Sequence, residues 1–246
     1  MIIGSEIIFL KTAVSTNTTA SEYLKSGKVR EGLVIRAAYQ SAGKGQKGNR
    51  WESEDNKNLL FSITLFPTMV TPEDQFIISR FISLGISDFL NTIISGCRIK
   101  WPNDIYAGND KIAGILIENS ITGNTLTSSV AGIGLNINQE VFPDRIPNPV
   151  SLKVITGRDH DIAGCLEGLL KCLDKRYKMV ITGELDQIRN DYTESLFRLN
   201  EWHEFKSGEG IFNGRILSVG DAGLLMVENR AGRTREFAFR EIEFIL

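Results

Sequence analysis

Between Glu73 and Ile94 apolar residues return every three or four positions (Phe76, Ile77, Phe81, Leu84, Phe89, Leu90, Ile93). That is the spacing of one helical face, and it predicts a long amphipathic helix. HDIAGCLEGLLKCLDKRYKMV, at 160–180, has the same period and predicts a second long helix, and Leu185 to Leu196 predicts a third. Elsewhere the pattern shortens towards a period of two. Ile7 to Lys11, Leu33 to Tyr39 and the alternating run Leu59 to Phe66 are expected strands, with others near 98–101, 111–119 and 125–137. STNTTASEYLKSG, at 15–27, opens on hydroxyl side chains suited to an N-cap (Ser15 or Thr16) and closes on Gly27, so a helix is expected between them.

Near Asn200 the helical period stops. The remaining residues form short β-rich runs separated by SGEG, VGDAG and NRAGR at intervals of about ten, the pattern of a small barrel. The expected architecture is α+β, a mixed sheet with packed helices over residues 1–197, followed by an SH3-like β-barrel over 198–246.

Composition narrows the function. A net charge of −2 gives no global attraction for nucleic acid or an anionic membrane, so any anion site has to be local. Cys97, Cys165 and Cys172 are too widely spaced for a disulfide framework or a metal cluster, and His160 and His203 lie far from any Cys or carboxylate cluster. MIIGSEIIFLKT lacks the basic start and long apolar run of a signal peptide, and Arg80, Asp88 and Asn91 interrupt the most apolar helix. A cytoplasmic, reduced protein is expected.

Two stretches carry the chemistry. QSAGKGQKGNRW, at 40–51, alternates glycines with polar residues and holds Lys44, Lys47 and Arg50 with no acid among them. Glycine lets backbone N–H groups approach a ligand, and the cations suit a phosphate or carboxylate. The stretch is no P-loop, because no Lys-Ser/Thr follows its second glycine. It is no dinucleotide fingerprint either, because polar turn sequence and not a helix comes next. Poor in apolar anchors, it is expected to order as a lid over its ligand. KWPND, at 100–104, sets a lysine at a strand end beside a large aromatic and a rigid turn. A lysine directed into a sheet needs an anionic partner.

STNTTA (15–20), QSAGKGQKGNRWES (40–53), KWPNDIY (100–106) with KIAGILIE (111–118), and GIGLNIN (132–138) stand in an order that resembles the biotin–protein ligases. KWPND followed by K-x-A-G-I-L is the most specific part. The resemblance implies a class II synthetase-like catalytic domain, the fold of biotin and lipoate ligases. It also implies ATP-dependent formation of biotinyl-5′-AMP and biotin transfer to a lysine of a biotin carboxyl carrier protein.

Residue roles follow from the resemblance alone. Lys100 would reach the biotin carboxylate and α-phosphate and, with Lys44, serve catalysis. Ser15, Thr16, Asn17 and Gln40 would line the biotin ureido pocket. Gly43, Lys44, Gly45 and Gln46 would wrap biotin and the adenylate, and Gly114 and Ile115 would wall the biotin tunnel. Lys47, Trp51, Asn103, Asn136 and Asn138 would contact the nucleotide. Magnesium would come with ATP, with Asp104 a candidate contact and no site built by the protein alone. Lys44 and Gln46 stand where most of the family has arginines, which exchanges a planar fork for a point charge and an amide. No recognition helix precedes Ser15, so the short form without DNA binding is expected, as monomer or homodimer, with no nucleic acid or membrane partner. A lipoate or octanoyl ligase or transferase is the alternative, and an RNA-gripping barrel module fits the charge poorly.

Overall fold

The computed structural model describes residues 1–27 and 29–246, and for Lys47 the backbone alone. Its main layer is a seven-stranded mixed sheet made of β1 (Ile7–Ala13), β2 (Val34–Gln40), β3 (Leu59–Leu65), β4 (Cys97–Lys100), β5 (Asp104–Ala107), β6 (Asp110–Thr122) and β7 (Thr125–Leu135). The strand order is β1-β2-β3-β7-β6-β5-β4. Only the β1–β2 pair is parallel. A parallel neighbour requires a crossover, and α1 (Thr16–Lys25) supplies it, starting directly after β1.

α2 (Phe76–Leu90) and α4 (Ile162–Ile181) pack together beneath this sheet, with α5 (Leu185–Glu194) beside them. Phe81, Leu84, Leu169 and Leu173 are fully or almost fully buried there. Each such side chain contributes roughly 1.5–3 kcal/mol on burial, which fixes α2 and α4 more firmly than helix propensity could. α2 begins later than its apolar period suggests, because residues 71–75 form turns and the Thr71 hydroxyl accepts the Asp74 N–H at 3.3 Å. β3 does not alternate in burial as its sequence suggests. It is central, so Phe61 and Ile63 meet the helical core while Ser62 is buried under α1.

Two elements are absent from the expectation. β5 is a four-residue strand after the Pro102–Asn103 turn, too short to show a period. The five-residue α3 (Leu152–Thr156) is set by its ends, a Ser151 cap accepting from the Val154 N–H and Gly157 in left-handed backbone.

The C-terminal strands β8 (Trp202–Ser207), β9 (Gly210–Val219), β10 (Leu225–Asn229), β11 (Thr234–Phe237) and β12 (Ile242–Phe244) form an antiparallel five-stranded sheet in the order β11-β10-β9-β8-β12. It is fastened to the larger layer by the turn at 219–223. The Arg80 guanidinium donates to Val219 O and Gly220 O at 2.8 and 2.7 Å, and the Trp101 indole N–H donates to Gly223 O at 2.9 Å. Among the described residues no helix is long and apolar enough to cross a membrane.

Candidate active site

A cavity of about 800 Å³ opens between the sheet, the start of α1, loop 44–51 and the C-terminal residues. At one end Ser15, Thr16 and Asn17 present the first turn of α1 to the cavity, facing Gln40 at the end of β2. Thr16 donates its backbone N–H to Gln40 Oε1 at 2.7 Å, so the Gln40 amide is fixed with its oxygen towards the helix. Asn17 is fixed as well. Its Nδ2 faces two acceptors, Glu118 Oε2 at 2.8 Å and Leu116 O at 3.3 Å, so its Oδ1 has to accept.

Between these two fixed acceptors lie the hydroxyls of Ser62 and Thr16. Ser62 Oγ is 2.6 Å from Asn17 Oδ1 and 2.7 Å from Thr16 Oγ1, and Thr16 Oγ1 is 3.1 Å from Gln40 Oε1. Three oxygen–oxygen contacts therefore share two hydroxyl protons, and one contact is always a proton short. This end of the cavity has a surplus of acceptors. It suits a neutral ligand that brings N–H donors. Ser15 is buried and makes no capping hydrogen bond, which leaves its hydroxyl for the cavity.

The floor is made flat by glycine. Gly114 and Gly134 are cross-strand partners, and Leu116 pairs with Gly132, so the three glycines share one face of β6 and β7. A Cβ on Gly114 or Gly134 would run into the Trp51 ring, and one on Gly132 into the Asn17 amide. Trp51 is delivered by the glycine-lysine loop, which folds as a small hairpin. Trp51 N–H donates to Gly43 O at 3.0 Å, Gly45 N–H to Asn49 O at 2.8 Å, and a 3-10 turn spans Gln46–Gly48. A side chain on Gly43 would meet Trp51 O and Gln40 Nε2, so this glycine lets the loop start against the pocket. Among the described residues, neither the Trp51 indole N–H nor Gln46 Oε1, both buried, has a hydrogen-bond partner.

Charge collects along the rest of the lining. Lys44, Arg50, Lys100, Lys111 and Arg240 line the cavity against Asp104 and Glu243, an excess of cations in a chain of net charge −2. Lys100 ends β4 and pairs in register with Asp104. Its ammonium lies 5.2 Å from the Tyr106 ring centroid and 4.7 Å from that of Phe244. Burial lowers its pKa below the ordinary lysine value. Asp104 opposes that shift, and Lys111 and Arg198 add to it. Burial, with Asp104 and Asp110 nearby, pushes the Tyr106 phenol up to about 12, so its ring is neutral in ordinary conditions. Lys111 Nζ is 2.7 Å from Asp104 Oδ1 and 5.6 Å from the Trp51 ring centroid.

Most residues expected from sequence meet in this one space: Ser15, Thr16, Asn17, Gln40, Lys44, Gly45, Gln46, Trp51, Lys100, Asn103, Asp104, Gly114 and Ile115. Gly43 lies behind the wall as loop support, and the Lys47 side chain is outside the described residues. Asn136 and Asn138 do not line the cavity. Asn136 Nδ2 donates to Val150 O at 3.0 Å, and the Asn138 amide exchanges two hydrogen bonds with the His160 backbone, so both brace the segments after β7. Asn103 spends its amide on Ile115 O at 3.0 Å and pins the turn to β6. Asp104 is committed to Lys111.

The sequence reading assigns Lys111 no task, although a lysine opening K-x-A-G is visible. It also misses Tyr106, Gly132 and Gly134 in the wall, and the C-terminal contributors Phe239 to Leu246. Nothing local marks a residue of the last strand as belonging to a site over a hundred positions away.

Comparison with known proteins agrees with this geometry. The model of the Biotin/lipoate A/B protein ligase family matches residues 9–136. The bifunctional ligase/repressor BirA of Bacillus spizizenii is 29% identical over 239 residues, covering 94% of this chain and 72% of the relative. The biotin–[acetyl-CoA-carboxylase] ligase of Paracoccus denitrificans is 28% identical, covering 89% and 93%. The biotin protein ligase of Aquifex aeolicus, solved in complex with biotin and ATP, superposes with a TM-score of 0.80 at 27% identity, over 97% of this chain and 98% of that one.

Proposed function

The chain belongs to the biotin/lipoate A/B protein ligase family, and from that premise we propose that it activates biotin with ATP and transfers it to a lysine of a biotin carboxyl carrier domain. The acceptor-rich pocket at Thr16, Asn17, Gln40 and Ser62 carries the choice of substrate. A cyclic urea brings two N–H donors to supply the missing proton, and its carbonyl takes a hydrogen bond from Ser15 or from Gln40 Nε2. An aliphatic acyl chain would leave those oxygens unpaired, at about 1–3 kcal/mol for each buried group.

The carboxylate end then lies towards the cations. A carboxylate and a triphosphate repel each other, and Lys111, Lys100, Lys44 and Arg50 hold positive charge between them. One carboxylate oxygen attacks the α-phosphorus and pyrophosphate leaves, giving the mixed anhydride. The amine of the carrier lysine then attacks the acyl carbon, loses a proton, and AMP departs. The glycine-lysine loop with Trp51 covers the cavity and keeps water from the anhydride. The orphaned Trp51 N–H and Gln46 Oε1 are polar groups available to the nucleotide side. Magnesium would come bound to ATP and would supply charge neutralisation at the phosphates. Among the described residues no group of three or more His, Cys, Asp or Glu could hold a metal. Three free thiols suit the reducing cytoplasm in which we place the reaction.

ATP–pyrophosphate exchange with biotin, lipoate or octanoate as trigger tests the assignment. Biotin alone is expected to drive exchange, and Lys100→Ala or Lys111→Ala to cut it by about 100-fold or more in a folded protein. Exchange driven by lipoate or octanoate and not by biotin would reassign the substrate.

A further inference from the structure

Glu118 lies on β6 outside the cavity lining, yet it touches two parts of the site. Its Oε2 accepts from Asn17 Nδ2 at 2.8 Å, and its Oε1 is 4.0 Å from Lys44 Nζ. Among the described residues it is the one carboxylate paired with a cation of loop 43–50. We infer that Glu118 is a positioning residue with two tasks: it sets the hydrogen-bond polarity of the ring pocket and tethers the glycine-lysine loop above it.

The polarity task follows from the proton count. Asn17 Oδ1 is an obligatory acceptor because Nδ2 is held by Glu118, with Leu116 O a longer second partner at 3.3 Å. Without the carboxylate, only the longer contact to Leu116 O at 3.3 Å opposes a turn of the amide that offers N–H to Ser62. The Ser62 and Thr16 protons would then both point on towards Gln40, and every contact in the chain would be satisfied without a ligand. The pocket would lose its need for a donor. Glu118 thus determines specificity for an N–H-bearing ring without touching it. The tether task is separate, because it uses the other oxygen and needs the negative charge rather than the acceptor.

The polarity half rests on biotin as the ligand, and the tether half does not. Two substitutions divide them. Glu118→Gln keeps an acceptor for Asn17 and removes the charge, whereas Glu118→Leu removes both. In the free protein, Glu118→Gln is expected to speed tryptic cleavage after Arg50 about two- to fivefold, the range of an exposed ion pair. In a Lys44→Gln background it should add nothing further. In biotin-dependent exchange, Glu118→Leu is expected to raise the KM for biotin about tenfold with kcat changed less than about twofold, as loss of ground-state and transition-state binding together requires. Glu118→Gln should bring KM most of the way back. Unchanged cleavage in Glu118→Gln, or effects that multiply with Lys44→Gln, would overturn the tether. A fall in kcat at constant KM, or a KM raised equally by both substitutions, would overturn the polarity role. If wild type shows no biotin exchange, the substrate assignment fails while the cleavage arm still reads.

Discussion

Lys100 sits at a strand end because its partner is an environment and not one anion. Tyr106 and Phe244 offer ring faces to the ammonium, Asp104 is its cross-strand neighbour, and burial nonetheless lowers its pKa. A base with a lowered pKa loses its charge earlier as pH rises. The alkaline limb of exchange activity is therefore expected below the 10.5 of an ordinary lysine. In the window between the two values the unfolded chain binds the proton that the native chain has released, so this group makes stability rise with pH there. Activity falls where stability gains, and the opposite signs separate catalysis from unfolding. Lys100→Arg, charged throughout, should move the limb upwards in whatever activity remains. An alkaline limb at the same pH in Lys100→Arg would show that Lys100 does not set it.

At the scale of elements, the glycines of β6 and β7 are a single device. With side chains at 114 and 134, the face of the sheet would be filled and Trp51 expelled. Gly134→Ala is expected to displace the indole. Its fluorescence should shift and the KM for ATP rise at least about tenfold, against an overpacking cost of about 1–3 kcal/mol. An unshifted spectrum with a normal KM would show that the sheet yields instead. Much of this layer was legible in the sequence, because long periods and end residues mark α1, α2 and α4 as soon as the chain is read. β5 was hidden because four residues between two turns carry no period, and α3 because only its caps define it. The same limit explains Asn136 and Asn138. A motif gives the residue type at a position, but the direction of its amide depends on Val150 and His160, whose arrival is a matter of tertiary packing.

On the scale of the whole molecule, the open question is what the small sheet does for a site built on the large one. Its turn at 219–223 is held by Arg80 and Trp101, and its last strand carries Phe244 to the Lys100 ammonium. Trp101 is therefore the joint: its backbone directly follows Lys100 at the end of β4, and its indole holds the turn of the neighbouring sheet. Trp101→Phe keeps an aromatic six-membered ring but removes the pyrrole part of the buried indole with its N–H, leaving Gly223 O without its donor. The loss is expected to be about 1–3 kcal/mol. In a chain of this size that lowers Tm by about 2–12 °C, small enough to leave the protein folded at 20 °C. If the small sheet matters only for stability, exchange at that temperature stays normal. If it positions Phe244, and through it Lys100, kcat falls about tenfold in the fully folded variant while the KM for biotin, which the proposed function seats at the Thr16–Gln40 end of the cavity, barely moves. The measurement is kcat and KM at 20 °C alongside a melting curve. A lowered Tm with unchanged kcat would show that the small sheet is a neighbour of the active site and no part of it.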